Sequence, residues 1–321
     1  MKLSVVVPAY NEETGFPRFL PSLIDSVEKA VGKSYEIIVV NDGSTDSTLK
    51  VLKNLSKNNT RLRVVNLSRN FGKEIAITAG IFQCSGDAIV MIDADGQHPP
   101  ELISKMLKKW EKGSQVVIGV RTKNHKEGFV KKYGSKIFYK VMNYMSNNTI
   151  IPGSTDYRLI DRSVGEEFIG FTERYRITRG LIDWMGFQRS YIEFEANPRL
   201  YGEASYKFNK LFKLALNSFV SLSMTPLYII GYVGIGITSI SFVVGLFILI
   251  EQVILNDPLR MKFTGSAMLS ILILFLVGIT LIAQGLISIY LSHIHVQTQN
   301  RPLFIIDKKN SYNLKRNVEE V

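Results

Sequence analysis

Two long uncharged stretches in the last third of the chain place the strongest constraint on its fold. Residues 227 to 250 carry no charged side chain, and a second such stretch runs from Phe263 to Ser292. A helix over the first stretch would rise about 36 Å, enough to cross a hydrocarbon core of about 30 Å. Buried core helices are the alternative, but they are rarely apolar around their whole circumference for so long. The sequence therefore predicts two transmembrane helices within residues 226–292.

Basic residues on either side of these stretches predict their orientation. Six lie outside the pair and two lie in the connecting loop, namely Lys207, Lys210, Lys213, Arg301, Lys308 and Lys309 against Arg260 and Lys262. Because basic flanks stay in the cytoplasm, both termini and a 293–321 tail are expected there, and the protein in the cell (inner) membrane. Residues 207–225 alternate lysines with apolar residues at helical period, which predicts an interfacial amphipathic helix or one packed on the globular domain.

Composition excludes several classes of protein. A single cysteine, Cys84, allows no intramolecular disulfide, and one cysteine with four histidines builds no zinc cluster. The net charge of +11 would suit nucleic acid. However, no aromatic-rich basic groove or base-reading motif accompanies it, so nucleic acid is not expected as a partner.

The first 206 residues alternate short apolar runs with helical patterns. The predicted strands cover residues 3–7, 35–40, 62–66, 88–92 and 115–119, and the predicted helices cover 16–31, 47–55, 72–84 and 100–111. Continuous apolar strands separated by helices indicate a mostly parallel sheet that is covered on both faces. An α/β domain is therefore expected over residues 1–206, with a less regular pattern from Arg121 onward.

Polar residues follow three of these strands, and ligands of parallel sheets bind beyond the carboxyl ends of the strands. Asp93 and Asp95 follow the fourth strand, and two carboxylates at this spacing suit Mg²⁺ or Mn²⁺. Gln97 is near enough to be a third ligand or a donor beside the metal, whereas His98 is expected to be an ordinary loop histidine. Asp42 follows the second strand, where its carboxylate could accept hydrogen bonds from a uracil edge or a ribose.

The first strand is followed by residues 8–12 (PAYNE) rather than by a glycine-rich phosphate loop. Without such a loop, the backbone offers no ready-made cradle for a diphosphate. The metal would then hold the diphosphate, which favours a nucleotide-sugar enzyme over a dehydrogenase or an ATPase.

Several motifs together resemble the family 2 glycosyltransferases of the GT-A fold. They are residues 5–13 (VVVPAYNEE), 41–46 (NDGSTD), 68–73 (SRNFGK) and 93–100 (DADGQHPP). Residues 153–162 (GSTDYRLIDR), 179–187 (RGLIDWMGF) and 199–203 (RLYGE), followed by two spans, resemble the polyprenyl-phosphate (bactoprenol) glucosyltransferases and dolichyl-phosphate mannose synthases. The resemblance implies inverting transfer of a hexose, glucose from UDP-glucose by default, to polyprenyl phosphate for cell-envelope glycosylation. It also implies a homo-oligomer, with four copies of the chain.

The same resemblance implies roles for individual residues. The nucleotide sugar would be bound by Pro8, Tyr10, Glu12, Asp42, Asp93 and Ala94, and the metal by Asp93, Asp95 and Gln97. The catalytic set would be Asp95, Asp156, Arg121 and Arg199, and the acceptor phosphate would meet Arg121, Lys132, Arg199, Ser205 and Lys207. Ser205 stands where the family has a lysine, and Lys207, two residues on, could replace it.

Asp156 has more than one interpretation. A phosphate monoester is already largely dianionic at neutral pH, so the attacking oxygen needs no general base. Asp156 could still be a base or an orienting residue, or simply the partner of Arg158 or Arg162.

Other functions remain open at this point. The sugar could be N-acetylglucosamine, galactose or mannose from GDP-mannose on the same lipid class. A processive polysaccharide synthase would normally carry more spans and a Gln-x-x-Arg-Trp motif, which is absent from the sequence. A soluble nucleotidyltransferase is disfavoured by the two predicted spans, and a scaffold without activity by the intact Asp-x-Asp pair.

Overall fold

The computed structural model describes residues 1–57, 59–122, 153–174, 176–195 and 265–314, together with the single positions 232, 236, 239, 243 and 250. Two compact units result, one of residues 1–206 with 301–321 and the other of residues 207–300. The first unit therefore contains the end of the chain as well as its beginning.

The described part of the first unit has seven strands and six helices longer than one turn. The strands are β1 (Leu3–Ala9), β2 (Tyr35–Asn41), β3 (Leu62–Asn66), β4 (Ala88–Met91), β5 (Val116–Arg121), β6 (Ser154–Asp161) and β7 (Arg189–Phe194). The helices are α1 (Phe16–Val31), α2 (Thr48–Lys57), α3 (Lys73–Gln83), α4 (Leu102–Glu111), α5 (Arg162–Gly170) and α6 (Thr178–Trp184). The five strands and four helices predicted before Arg121 are all present, and their bounds differ from the predicted ones by at most two residues.

All seven strands form one sheet in the order β3-β2-β1-β4-β6-β5-β7. Strand β6 pairs antiparallel with both β4 and β5, whereas the pairings of β1 with β2 and β4, of β2 with β3 and of β5 with β7 are parallel. Because β6 runs against its neighbours, its first residues lie at the edge where the parallel strands end. This edge is the one at which the sequence predicts ligand binding.

Side chains alternate along the strands between two apolar layers. Val5 and Val7 of β1 pack with α1, α2 and α4 on one face, while Val6 packs with α3 and α5 on the other. Alternate residues of a strand point to opposite faces, so a strand buried on both sides must be apolar throughout. The continuous apolar runs that predicted a doubly covered sheet are explained by this arrangement.

Residues 301–314, here called the C-terminal segment, pack along β3. Val64 and Tyr312 exchange both backbone hydrogen bonds, and the amide of Ser68 donates to the carbonyl of Ile305. Phe304 and Ile306 are buried against the α3 face of the sheet. The sequence pattern predicted only a tail over 293–321, so the docking of this segment on the sheet is a finding of the structure.

In the second unit, helix α7 (Gly265–Thr298) covers the second uncharged stretch. Over the residues described, no helix combines the length and the hydropathy that a membrane crossing requires. The predicted juxtamembrane helix over 207–225 and, apart from single positions, the predicted span over 227–250 lie outside the described residues. The two transmembrane helices therefore stay a prediction.

Candidate functional site

The turns that follow β1 and β2 are hydrogen-bonded to each other at the carboxyl edge of the sheet. The amide of Asn11 donates to Ser44 Oγ over 3.0 Å, and Asn11 Oδ1 accepts from the amide of Thr45 at 2.9 Å. The amide of Glu12 donates to Thr48 Oγ1 at 2.8 Å. Asn11 adopts a left-handed φ of 56°, which asparagine tolerates better than most residues. The predicted nucleotide-binding turns are thus locked together.

Two further predicted nucleotide contacts lie at the same edge. Pro8 is half-buried near the end of β1, and the side chain of Tyr10 is 46 % exposed just beyond it. An aromatic ring with one face open to solvent can stack on a planar ligand.

Asp42 connects the turn after β2 to the loop that precedes α3. Its carboxylate accepts from the amides of Phe71 at 2.7 Å and Gly72 at 2.9 Å. Burial raises the pKa of Asp42, although these two amides and Arg69 act in the opposite direction. Asp42 thus holds the loop of residues 69–72 in place. The sequence predicted a nucleotide contact for Asp42 but did not predict this structural role.

The close approach of these two segments requires a glycine at position 43. Gly43 has a φ of +62°, and a Cβ atom there would lie 2.3 Å from the carbonyl carbon of Arg69. No side chain fits at that distance, and the backbone conformation itself favours glycine. The Asp-Gly pair after β2 is therefore explained by local geometry.

A lysine joins two of the predicted acidic site residues. The ammonium of Lys73, the first residue of α3, lies 2.8 and 2.9 Å from the two carboxylate oxygens of Asp93. The same ammonium lies 2.9 Å from Asp156 Oδ2, which β6 brings to this edge. Lys73 is the last residue of the motif at 68–73, and the sequence predicted no role for it.

Lys73 and Asp156 shift each other's pKa away from the usual range. Burial alone would lower the pKa of Lys73, but Asp93 and Asp156 outweigh it and hold this pKa well above its usual value. Burial would raise the pKa of Asp156, but Lys73 and Arg179 hold it below the usual range. Asp156 is therefore a fixed negative charge at neutral pH, which fits an orienting role better than that of a general base.

The two arginines suggested as alternative partners of Asp156 form ion pairs with other carboxylates. Arg158 is fully buried and pairs with Asp183 of α6, with 2.8 Å between Nη1 and Oδ1. Arg162 pairs with Glu166 one turn along α5. Arg158 lies two residues from Asp156 on β6, and its charge helps to lower the pKa of Asp156 although its ion pair is with Asp183.

The loop that carries the predicted metal ligands continues from β4 through Asp95 and Gln97. Asp95 Oδ1 accepts from the amide of Gln97 at 3.1 Å, which turns the loop back on itself. Gln97 Oε1 in turn accepts from Arg121 Nη2 at 2.7 Å. The structure thus brings Arg121, at the end of β5, beside Gln97, one of the predicted metal ligands, whereas its predicted contact with phosphate stays a prediction. Ala94, between the two aspartates, is buried.

His98 is a packing residue, in agreement with the prediction of an ordinary loop histidine. Its ring stacks on Tyr157 at 5.0 Å between centroids and meets Phe194 edge-on. Burial lowers the pKa of His98, although nearby Asp93 acts in the opposite direction.

The donor set fits a divalent cation with open coordination positions. Over the described ranges, no group of three or more histidine, cysteine, aspartate or glutamate side chains could hold a metal ion. Mg²⁺ needs only one or two protein carboxylates when phosphate oxygens and water complete its shell. Asp93 already engages a cation, Lys73, through both oxygens, and Asp95 follows at the spacing that suits a shared ion.

The remaining predicted site residues lie outside the described residues. They are Lys132, Arg199, Ser205 and Lys207, all assigned to the acceptor phosphate. Their roles, and the replacement of a lysine at position 205 by Lys207, stay predictions.

Comparison with known proteins gives a consistent result. The model of the family described as "Glycosyl transferase family 2" matches residues 4–168. An uncharacterized glycosyltransferase of Synechocystis sp. is 38 % identical over 306 residues, covering 95 % of each chain. The SfII prophage-derived bactoprenol glucosyl transferase of Shigella flexneri is 35 % identical over 315 residues, covering 98 % of this chain and 100 % of its own.

Among solved structures, mannosyl-3-phosphoglycerate synthase from Rubrobacter xylanophilus is similar with a TM-score of 0.50 and 17 % identity. The match covers 68 % of this chain and 71 % of that protein. At this identity the similarity concerns the fold alone, and it agrees with a GT-A-like α/β domain.

Proposed function

This chain belongs to glycosyl transferase family 2 and is a glycosyltransferase; we propose that it transfers a hexose from a nucleotide sugar to a polyprenyl phosphate at a membrane surface. The single observation that carries the proposal is the cluster at the carboxyl edge of the sheet. There, the Asp93-x-Asp95 pair lies beside two cationic side chains, Lys73 and Arg121. Such a cluster suits a reaction in which two anionic phosphate groups meet.

The donor site follows from the turns after β1 and β2. Tyr10 and Pro8 would contact the base, and Asp42 has lone pairs left for the base or ribose after accepting two amides. Glu12 and Ala94 line the same edge. UDP-glucose is the donor we propose, while the other sugars named above would use the same turns.

A divalent cation, Mg²⁺ or Mn²⁺, would be held by Asp93 and Asp95, with Gln97 beside it. When bound, it would neutralise the diphosphate of the leaving nucleotide. Lys73 and Arg121 would add positive charge next to that diphosphate, and they are already oriented by Asp93 and Gln97.

The transfer step needs no proton acceptor. An oxygen of the dianionic acceptor phosphate attacks the anomeric carbon, the bond from that carbon to the donor diphosphate breaks, and the configuration inverts. Asp156, ionised and paired with Lys73, would orient that cation rather than take a proton. Lys132, Arg199 and Lys207 would hold the acceptor phosphate.

The lipid acceptor is supported by two observations. The Shigella flexneri relative is named for bactoprenol and matches 98 % of this chain, including its last third. The uncharged stretches 227–250 and 263–292 would anchor the enzyme in the inner membrane beside such a lipid. The same proposal includes a homo-oligomer, a tetramer by the resemblance described above.

The test is transfer of radiolabelled sugar into membrane lipid. Membranes containing the full chain receive a panel of nucleotide sugars, and chloroform-soluble label is measured with the Asp95→Asn variant as control. We expect the unaltered chain to transfer label from UDP-glucose to a lipid phosphate, and we expect the Asp95→Asn variant to transfer none. Label in a long polysaccharide would instead establish the processive synthase, and no lipid label from any donor would overturn the proposal.

A further inference from the structure

The C-terminal segment ends a chain of hydrogen bonds that runs to the nucleotide-binding turn. Asn66 Nδ2 donates to Asp307 Oδ2 at 3.3 Å, and Asn41 Nδ2 donates to Asn66 Oδ1 at 2.6 Å. Ser44 Oγ then donates to Asn41 Oδ1 at 2.5 Å and accepts from the amide of Asn11. Three side chains, those of Asn66, Asn41 and Ser44, therefore connect Asp307 to both turns of the proposed donor site.

The direction of this chain is set at its carboxylate end. A carboxylate only accepts hydrogen bonds, so Asn66 must turn its nitrogen toward Asp307 and its oxygen toward Asn41. Asn41 must then present its own oxygen to the hydroxyl of Ser44. Since Asn41 and Asn66 are both buried, neither amide can reverse without losing a partner that water would not replace.

Backbone contacts hold Asp307 where it can act. The amide of Asp307 donates to the carbonyl of Asn66 at 2.8 Å, and the amide of Asn66 donates to Ser311 Oγ at 2.9 Å. Burial of Phe304 and Ile306 fixes the segment on the sheet from the other side. The position of Asp307 therefore depends on docking of the whole segment.

We propose that the C-terminal segment positions the donor site, with Asp307 acting through Asn66 and Asn41 on Ser44 and the turn after β2. Asp307 is a positioning residue and touches no substrate. The effect on donor affinity rests on the proposed function, whereas the effect on the turn itself does not.

Two measurements on the full chain separate these effects. Hydrogen exchange of the amides of residues 42–46 reports on the turn without any ligand, and titration with UDP and Mn²⁺ reports on donor binding. For Asp307→Ala we expect faster exchange at 42–46, a Kd for UDP about fivefold to tenfold higher, and a KM for donor that rises while kcat stays near its original value.

Asn313→Gly is the matched control. Asn313 donates to the carbonyl of Leu62 at 2.8 Å, so this change also removes a hydrogen bond between the segment and β3, and glycine tolerates the φ of 59°. It is not connected to Asn41 or Ser44, and we expect exchange at 42–46 to stay unchanged.

A swap of amide and carboxylate tests direction rather than docking. Asn66→Asp alone places a second carboxylate against Asp307 and should loosen the turn. Combined with Asp307→Asn, it should restore exchange and UDP affinity to within about twofold, because the amide at 307 can donate to the carboxylate at 66.

The outcomes are distinct. Equal hydrogen exchange at residues 42–46 in Asp307→Ala and Asn313→Gly would overturn the positioning role. Fast exchange at 42–46 in the double variant Asn66→Asp with Asp307→Asn, while the amides of Val64 and Tyr312 remain protected, would overturn it as well. If exchange follows the expected pattern but the unaltered chain binds no UDP, the positioning role stands and the proposed donor is wrong.

Discussion

Lys73 shows how one side chain balances a cluster of charges. Its ammonium contacts Asp93, in the loop after β4, and Asp156 of β6, and among the described residues no other lysine or arginine forms an ion pair with either carboxylate. A positive charge at the first residue of a helix is unfavourable for the helix dipole, so the two carboxylates compensate for its position.

Removal of this ammonium should impair catalysis. Lys73→Met leaves two carboxylates facing each other without their shared cation, and we expect kcat/KM to fall at least about tenfold. Steady-state transfer assays measure the effect, and Lys50→Met, a change at an exposed lysine of α2, is the control. Equal kcat/KM in the two variants would show that Lys73 has no part in the reaction.

Asp95 offers the most direct test of the proposed cation. Asp95→Asn removes a charged oxygen ligand at nearly constant volume, so we expect loss of transfer with an unchanged Tm and a weaker affinity for Mn²⁺. The exposed Asp25→Asn serves as control. Transfer by the unaltered enzyme that persists in excess EDTA would contradict the metal assignment.

At the scale of elements, the proposed donor site is a set of turns that are hydrogen-bonded to each other. The turn after β2 touches the loop before α3 through Asp42 and Gly43, and it touches the turn after β1 through Ser44. Each turn is short, and its position depends on hydrogen bonds to a neighbouring turn or loop as well as on its own side chains.

Two glycines with the same φ allow the effect of backbone strain to be separated from that of steric crowding around a Cβ atom. Gly32 and Gly43 both have a φ of +62°, but nothing lies within 4 Å of a Cβ at Gly32, whereas Arg69 lies at 2.3 Å from one at Gly43. We expect Gly32→Ala to cost about 1 kcal/mol of unfolding free energy and to leave donor KM unchanged. Gly43→Ala should cost more and raise donor KM. Thermal unfolding and donor kinetics measure both, and equal effects would show that the contact with Arg69 is unimportant.

At the scale of the whole molecule, a buried carboxylate ties the strands together at the edge opposite the site. Glu36 is 2 % exposed and accepts from Lys2 and Ser4 at 2.6 Å, and Arg63 also pairs with it. Burial would raise the pKa of Glu36, but these partners hold it below its usual value.

This depressed pKa makes stability depend on pH. The contribution of Glu36 is fully present above the unfolded pKa of about 4.3 and is lost as pH falls through the lower folded value. Glu36→Gln should lower the free energy of unfolding at pH 7 by about 3 kcal/mol and lose less on acidification. Urea unfolding between pH 7 and pH 3 measures this, with exposed Glu111→Gln as control. Parallel pH profiles for Glu36→Gln and the unaltered chain would contradict the assignment.

The sequence by itself predicted five of the seven described strands, the four helices between them and the sheet edge at which ligand binding is expected, because apolar runs and their spacing record which elements are buried on both faces. It also placed Asp93, Asp95 and Asp42 at that edge, since a residue directly after a strand must lie at the strand's end. Only the tertiary structure showed the ion pair of Lys73 with Asp156, the antiparallel direction of β6 and the packing of residues 301–314 along β3. These features depend on strand order and strand direction. Both are decided by packing and hydrogen bonding between residues that are far apart in sequence, so local sequence patterns do not predict them.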